Sequence, residues 1–244
     1  MPALVTLRNS ANMMRNTHGF EDDMQGFITA IVTDAYTLVT AVNGSVSIAD
    51  AVGGRVNIKS AAATAGNEDA YLVREPEAFL FAANKPLIFE AYVQATEDDT
   101  NQNNLFVGLT NAAAVDLLVN DGAGPKTSGT TVAFFKKDGG LNWWVHASLS
   151  TLQTSVELTA ANSLDKTVHV GSGSAYQLLR IEFAPKNSTQ ADLLYYIDDV
   201  LVYKITDYVF TSATEMQAVC GTKDGDSADE VTITLDFWWC YQTR

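Results

Sequence analysis

At 244 residues, 47% of them hydrophobic, the chain is long enough for one large all-β domain or two smaller ones. Its 15 Lys plus Arg against 29 Asp plus Glu give a net charge of −14, which argues against nucleic acid or an anionic membrane as partner, because phosphate binding needs clustered cations. No run approaches the roughly 18 apolar residues of a membrane span, and the opening residues lack the basic start and apolar core of a signal peptide.

Two cysteines, Cys220 and Cys240, are too few for a disulfide framework; on neighbouring terminal strands they could pair, but with no sign of secretion they are expected reduced and buried in a protein made in a cytoplasm. Residues 1–20 are weakly patterned and place scarce positive charge early, at Arg8, Arg15 and His18. They read as an arm. Residues 27–32, 36–42, 45–48 and 55–58 are short runs rich in Val, Ile and Thr, punctuated by Asn43-Gly44 and Gly53-Gly54, and are expected to be strands joined by tight turns; an amphipathic helix within 28–42 is the competing reading, which the β-branched residues disfavour. Residues 60–69 are small and polar and read as a loop.

Further strands are expected at 78–82, 86–96 and 104–110, with 97–103 as a polar hairpin loop. Residues 116–129 form a Gly-rich, mostly polar loop. Strands follow at 131–136, 142–148, 155–160 and 167–170, and Asp138-Gly139-Gly140 is the sharpest turn signal in the chain. The plainest stretch is 177–206. There Leu179, Ile181 and Phe183 alternate with Leu178, Arg180 and Glu182, the period-two pattern of a half-buried strand, and two more runs, 192–197 and 200–205, meet at Asp198-Asp199 as a hairpin. The last strands are expected at 215–220 and 231–241, separated by the acidic loop 223–230. About a dozen short strands without a long helix define an all-β, antiparallel β-sandwich.

The order FEAYVQA, NNLFVGLTN, VAFFKKDGGLNWWVHA, YQLLRIEFAP, LLYYIDDVLVYKI, TLDFWWCYQTR resembles the concanavalin A-like lectin/glucanase jelly roll over residues 76–244. The family's hairpin commonly has Gly where Asp199 stands. Residues 1–75 fall outside that pattern and read as an N-terminal arm and β-rich extension making assembly contacts. Their Ala, Thr, Val and Gly texture resembles proteins of tailed-bacteriophage particles, in which such jelly rolls form capsid decorations or head fibres. The resemblance implies a non-enzymatic virion protein, a capsid decoration or cement protein, whose partners are the major capsid protein and copies of itself as a trimer. The alternative it implies is a carbohydrate-binding module with glycans as partner.

The residues lend little to catalysis. A retaining glycosidase needs two carboxylates about 5 Å apart, which one strand supplies when they alternate on one face. The family's E-x-D-x-E strand is absent, and residues 86–96 hold only Glu90. His18, His146 and His169 lack ligand spacing, the acidic runs 97–104 and 224–230 lack that of a calcium loop, and no G-x-S-x-G elbow or phosphate cradle occurs. No catalytic residue, metal or cofactor is therefore expected. Two tryptophan pairs remain. Trp143-Trp144 and Trp238-Trp239 lie on predicted strands, so one indole of each pair should face the core and the other the opposite side, where it packs under another part of the chain, anchors a protein interface or stacks on a sugar. With Arg8 and Arg15 they are the candidate contact residues.

Overall fold

The computed structural model describes residues 17–22, 24, 35–40, 44–50, 54–60, 68–75, 79–97, 103–120, 122–171, 173, 175–211, 214–225 and 230–243. Among them there is no helix. The strands in chain order are β1 (Thr17–Asp22), β2 (Tyr36–Thr40), β3 (Ser45–Asp50), β4 (Arg55–Lys59), β5 (Asp69–Arg74), β6 (Phe79–Phe81), β7 (Leu87–Glu97), β8 (Asn103–Thr110), β9 (Leu118–Val119), β10 (Gly124–Pro125), β11 (Thr130–Lys136), β12 (Trp143–Leu149), β13 (Leu152–Glu157), β14 (Gln177–Pro185), β15 (Gln190–Ile197), β16 (Val200–Val209), β17 (Thr214–Asp224) and β18 (Val231–Thr243). Sixteen of them form two antiparallel eight-stranded sheets, and β9 pairs with β10 in a separate ribbon. Sheet A runs β16-β15-β14-β7-β18-β4-β3 with β1 beside β18, and sheet B runs β13-β12-β11-β8-β17-β5-β2 with β6 beside β17.

The expected sandwich is present. Its core lies where the alternation put it: Leu179, Ile181 and Phe183 of β14 are fully buried, and so are Val107, Leu109, Phe134 and Val145 on the facing sheet. The β15–β16 hairpin turns at Asp198 and Asp199 with φ of 50° and 65°, left-handed conformations that Asp tolerates better than most residues. Polar groups also tie the sheets together. The Trp143 indole donates to Gln177 Oε1 at 2.9 Å, and the hydroxyls of Tyr195 and Tyr208 donate to the backbone oxygens of His146 and Ser148 at 2.8 and 3.0 Å. Each aromatic thus buries its ring and still satisfies its polar tip.

The exposed edges of the two sheets meet along one side. Gln153 of β13 donates to Val209 O and accepts from Val209 N, so one side chain copies a strand's hydrogen bonding and caps edge strand β16.

Several expectations need correction. Asp69, expected to close the loop 60–69, instead opens a paired strand, 69–74, whose residues DAYLVR are buried on both faces and lack the polar alternation that marks a half-exposed strand. β7 and β8 belong to opposite sheets, so the segment between them is a crossover and not a hairpin. Residues 167–170 make only an isolated bridge, Asn142 to Val170. Residues on both sides of 75/76 pack together: Tyr36, Val56, Ile58 and Leu72 share one cluster with Phe89, Val107 and Leu235. The expected strand 27–32 lies outside the described residues.

Both cysteines are free and buried, Cys220 in sheet B and Cys240 in sheet A, and burial raises both thiol pKa values. Thiolate is the reactive form, so neither should react with a thiol reagent under native conditions. Both should react on unfolding, as thiol titration with and without urea will show.

Candidate functional site

The outer face of sheet B is a natural platform. Tyr71, Val73, Phe106, Ala133, Phe135 and Val219 line it and form a second apolar cluster with Trp144 at its margin. The loop at 116–129, expected to be polar, folds across that face as a strap. Leu117 and Leu118 sink into the cluster, and Leu118 N donates to the Tyr71 hydroxyl at 3.1 Å. Asp116 N donates to Asp69 Oδ2 at 2.6 Å, while Lys223 Nζ meets Asp116 Oδ1 at 2.6 Å and lowers that carboxyl's pKa. Gly124, at φ 88°, lies so close to Phe135 that a Cβ would stand 2.8 Å from the ring. The aromatic face is thus covered by the chain itself.

The tryptophans obey the predicted alternation. Trp143 and Trp238 are interior, and Trp238 stacks on Tyr36 at 6.0 Å. Trp144 emerges half-buried from sheet B with Lys137 Nζ 3.8 Å above its ring, and Trp239 lies on the outer face of sheet A, 7% exposed and packed on Tyr241. The two outward indoles stand on opposite sheets, so they form no common site. Arg8 and Arg15 lie outside the described residues.

Sheet A carries a charged network that no motif announces. Arg180 of β14 reaches Glu90 of β7 and Glu182 of its own strand, each at 3.3 Å, reaches Asp199 at 2.6 Å, and lies 4.1 Å over the Tyr196 ring. Glu182 is nearly buried, and that burial raises its pKa. Two carboxylates therefore do approach one another across strands, where reading a single strand finds only Glu90. The guanidinium contacts both, and with Asp199 it is one cation among three carboxyl groups, so the two glutamates are held in a cross-strand ion-pair cluster.

An open cleft of about 460 Å³ lies at one end of the sandwich. It is walled by Val168, Val170, Ala175, Ile197 and Val200, with Asp165, Thr167, His169, Gln177 and Asp198 as its polar groups. Three elements build it: the β15–β16 turn, the first residue of β14, and the segment after β13. That last segment is pinned by backbone bonds from Trp143 N to His169 O at 2.7 Å, Leu164 N to Val202 O at 2.8 Å and Gly171 N to Leu141 O at 2.8 Å. Burial opposes the charge on Asp165, but hydrogen bonds from Thr167 and His169 hold its pKa down to about 2, so it is ionised. Val168, Val170 and Val200 are 49%, 40% and 47% exposed, and Leu141 and Leu164 stand exposed beside them. Reading 167–170 as a strand hid this feature. The signal available was a pair of valines spaced by two, Val168 and Val170, in a mostly polar segment.

The sandwich is similar to the concanavalin A-like jelly rolls of solved lectins and glucanases. The Emp47p carbohydrate recognition domain superimposes with a TM-score of 0.62 at 10% identity, over 97% of this chain and 100% of that one. The endo-1,3-β-glucanase of Streptomyces sioyaensis gives 0.63 at 12% identity over 93% and 97%, and peanut lectin gives 0.54 at 10% over 93% and 97%. No family model matches the chain, and no curated protein matches it by sequence. The similar structures include both binding proteins and enzymes, so the likeness carries the fold alone.

Proposed function

We propose that this chain is a non-enzymatic structural protein of a virion, a decoration or cement protein on the capsid surface, with the major capsid protein and copies of itself as partners. The observation that carries the assembly part is where apolar surface is hidden and where it is left. The strap covers the aromatic face of sheet B, while aliphatic side chains cluster exposed around the end cleft. Exposed apolar groups gathered in one patch mark a surface that another molecule covers. The virion assignment rests on the resemblance of the first 75 residues to phage particle proteins. Sedimentation of the purified chain, and its co-sedimentation with capsids stripped of it, tests the reading. A trimer retained on capsids is the expected result; a stable monomer without capsid affinity counts against it.

A carbohydrate-binding module is the second reading, favoured by the lectin-like fold and by the polar groups of the cleft. It requires saturable binding on a glycan array, which a purely structural protein lacks.

A further inference from the structure

We propose that the end cleft receives residues 1–16 of a second copy of this chain, so that copies are joined head to tail. This inference rests on the assembly reading and names the contact that drives it. The cleft offers aliphatic walls with two carboxylates, Asp165 and Asp198, and among the described residues no Lys or Arg lines it. Its complement is a segment that is apolar and basic, and such a segment is scarce in a chain of net charge −14. Residues 1–16, MPALVTLRNSANMMRN, are that segment: they hold Leu4, Val5, Leu7, Met13 and Met14 with Arg8 and Arg15, and contain no Asp or Glu.

Strand direction points to a neighbour's cleft and not the chain's own. β1 pairs antiparallel with β18, Thr17 opposite Thr243 and Asp22 opposite Trp238. Thr243 N bonds Pro86 O, so Thr17 sits at the end of sheet A where β7 begins. The cleft is at the other end, where Gln177 stands opposite Val93 in the second half of β7. Thr17, the first described residue, therefore stands at the end of the sandwich remote from the cleft. For residues 1–16 to enter the cleft of their own chain, they would have to run back along the sheet. A stretch of sixteen residues spans at most about 55 Å when extended, ample to enter the cleft of a copy packed against that end. A head-to-tail contact of this kind closes into a ring when the rotation allows, which is how a trimer would arise.

Single cysteines test the contact directly, since Cys220 and Cys240 are buried. Full-length chains carrying Ser10→Cys and Val168→Cys are prepared separately, mixed and oxidised. The expected product is a disulfide-linked heterodimer, absent from Val168→Cys alone. In parallel, Arg8→Glu with Arg15→Glu, or Val168→Lys with Val200→Lys, should each reduce the assembly to monomers. Combining the two pairs should restore it, which a merely misfolded variant would not do. If the chain forms trimers or binds capsids and yet gives no cross-link and no rescue, this contact is wrong and the assembly reading survives. A chain monomeric throughout and without capsid affinity defeats both. A double-cysteine chain closing only on itself overturns the exchange between copies.

Discussion

Lys136→Met should lower stability by about 3–5 kcal/mol, the usual cost of breaking a buried ion pair from one side. Lys136 is at the end of β11 on the inward face, with its side chain fully buried, and its Nζ lies 2.7 Å from Glu97 Oε1 on the facing sheet. Burial lowers the lysine's pKa, while the hydrogen bond to Glu97 opposes that shift. Replacing the lysine by an apolar chain of similar length leaves the packing nearly intact but takes away the cation that faces a carboxylate in the interior. For a chain of this size the loss corresponds to a fall in Tm on the order of 10 °C. Adding Glu97→Leu should return most of it, since an apolar pair in place of a buried ion pair is often neutral. Thermal unfolding of the two single variants and the double variant forms the cycle. Equal loss in the single and double variants would show that the lysine acts through packing alone. The pair also bears on the cleft: a Cβ on Gly171 would lie 3.2 Å from Trp143 and 3.3 Å from Lys136, so the cleft-forming segment rests directly on them. Loosening Lys136 should therefore weaken the proposed contact between copies as well.

Where one face of a strand is buried and the other wet, alternation specifies both the strand and its facing, as in β14. The strands that escaped or changed meaning were those lacking that contrast. β5 is buried on both faces, and β7 and β8 lie next to each other in sequence yet separate into different sheets, which no local pattern records. The alternation also placed Trp143 and Trp238 inside, but not the cover over the outer face of sheet B. That cover depends on Leu117 and Leu118 finding Tyr71 and Phe135 across long sequence distances, within a stretch whose glycines read as solvated loop. The cleft was hidden for the same reason. Its walls come from the β15–β16 turn and from a segment without regular structure, and their meeting is a property of the fold and not of any motif. The cross-strand pairing of Glu90 and Glu182 around Arg180 was out of reach of any search within one strand.

Acid should weaken the fold through His146. This residue faces outward from β12 beneath the cover of sheet B, 2% exposed, its ring edge-on to Phe135 at 5.9 Å, with no hydrogen-bond partner at either ring nitrogen. Burial, helped by the charge of Lys137, lowers its pKa from 6.5 to about 4. In the folded chain His146 is neutral down to that value, whereas in the unfolded chain it takes up a proton near pH 6.5. Between those values the unfolded state binds the extra proton, so the contribution is full above pH 6.5 and disappears as pH falls toward 4. The loss over that window is on the order of 3 kcal/mol. Glu182 works in the opposite direction, since its raised pKa favours the folded state as acid protonates it. The effect of His146 must therefore be read as a difference. His146→Leu keeps the site apolar and filled, and at pH 7 it should already stabilise the protein by about 1–3 kcal/mol, because it removes an imidazole buried without hydrogen bonds. At pH 4.5 the variant's advantage should be larger by most of the His146 loss. Urea midpoints for both proteins across this range decide the matter: parallel pH curves would mean that His146 stays neutral in the unfolded chain or finds a partner in the folded one.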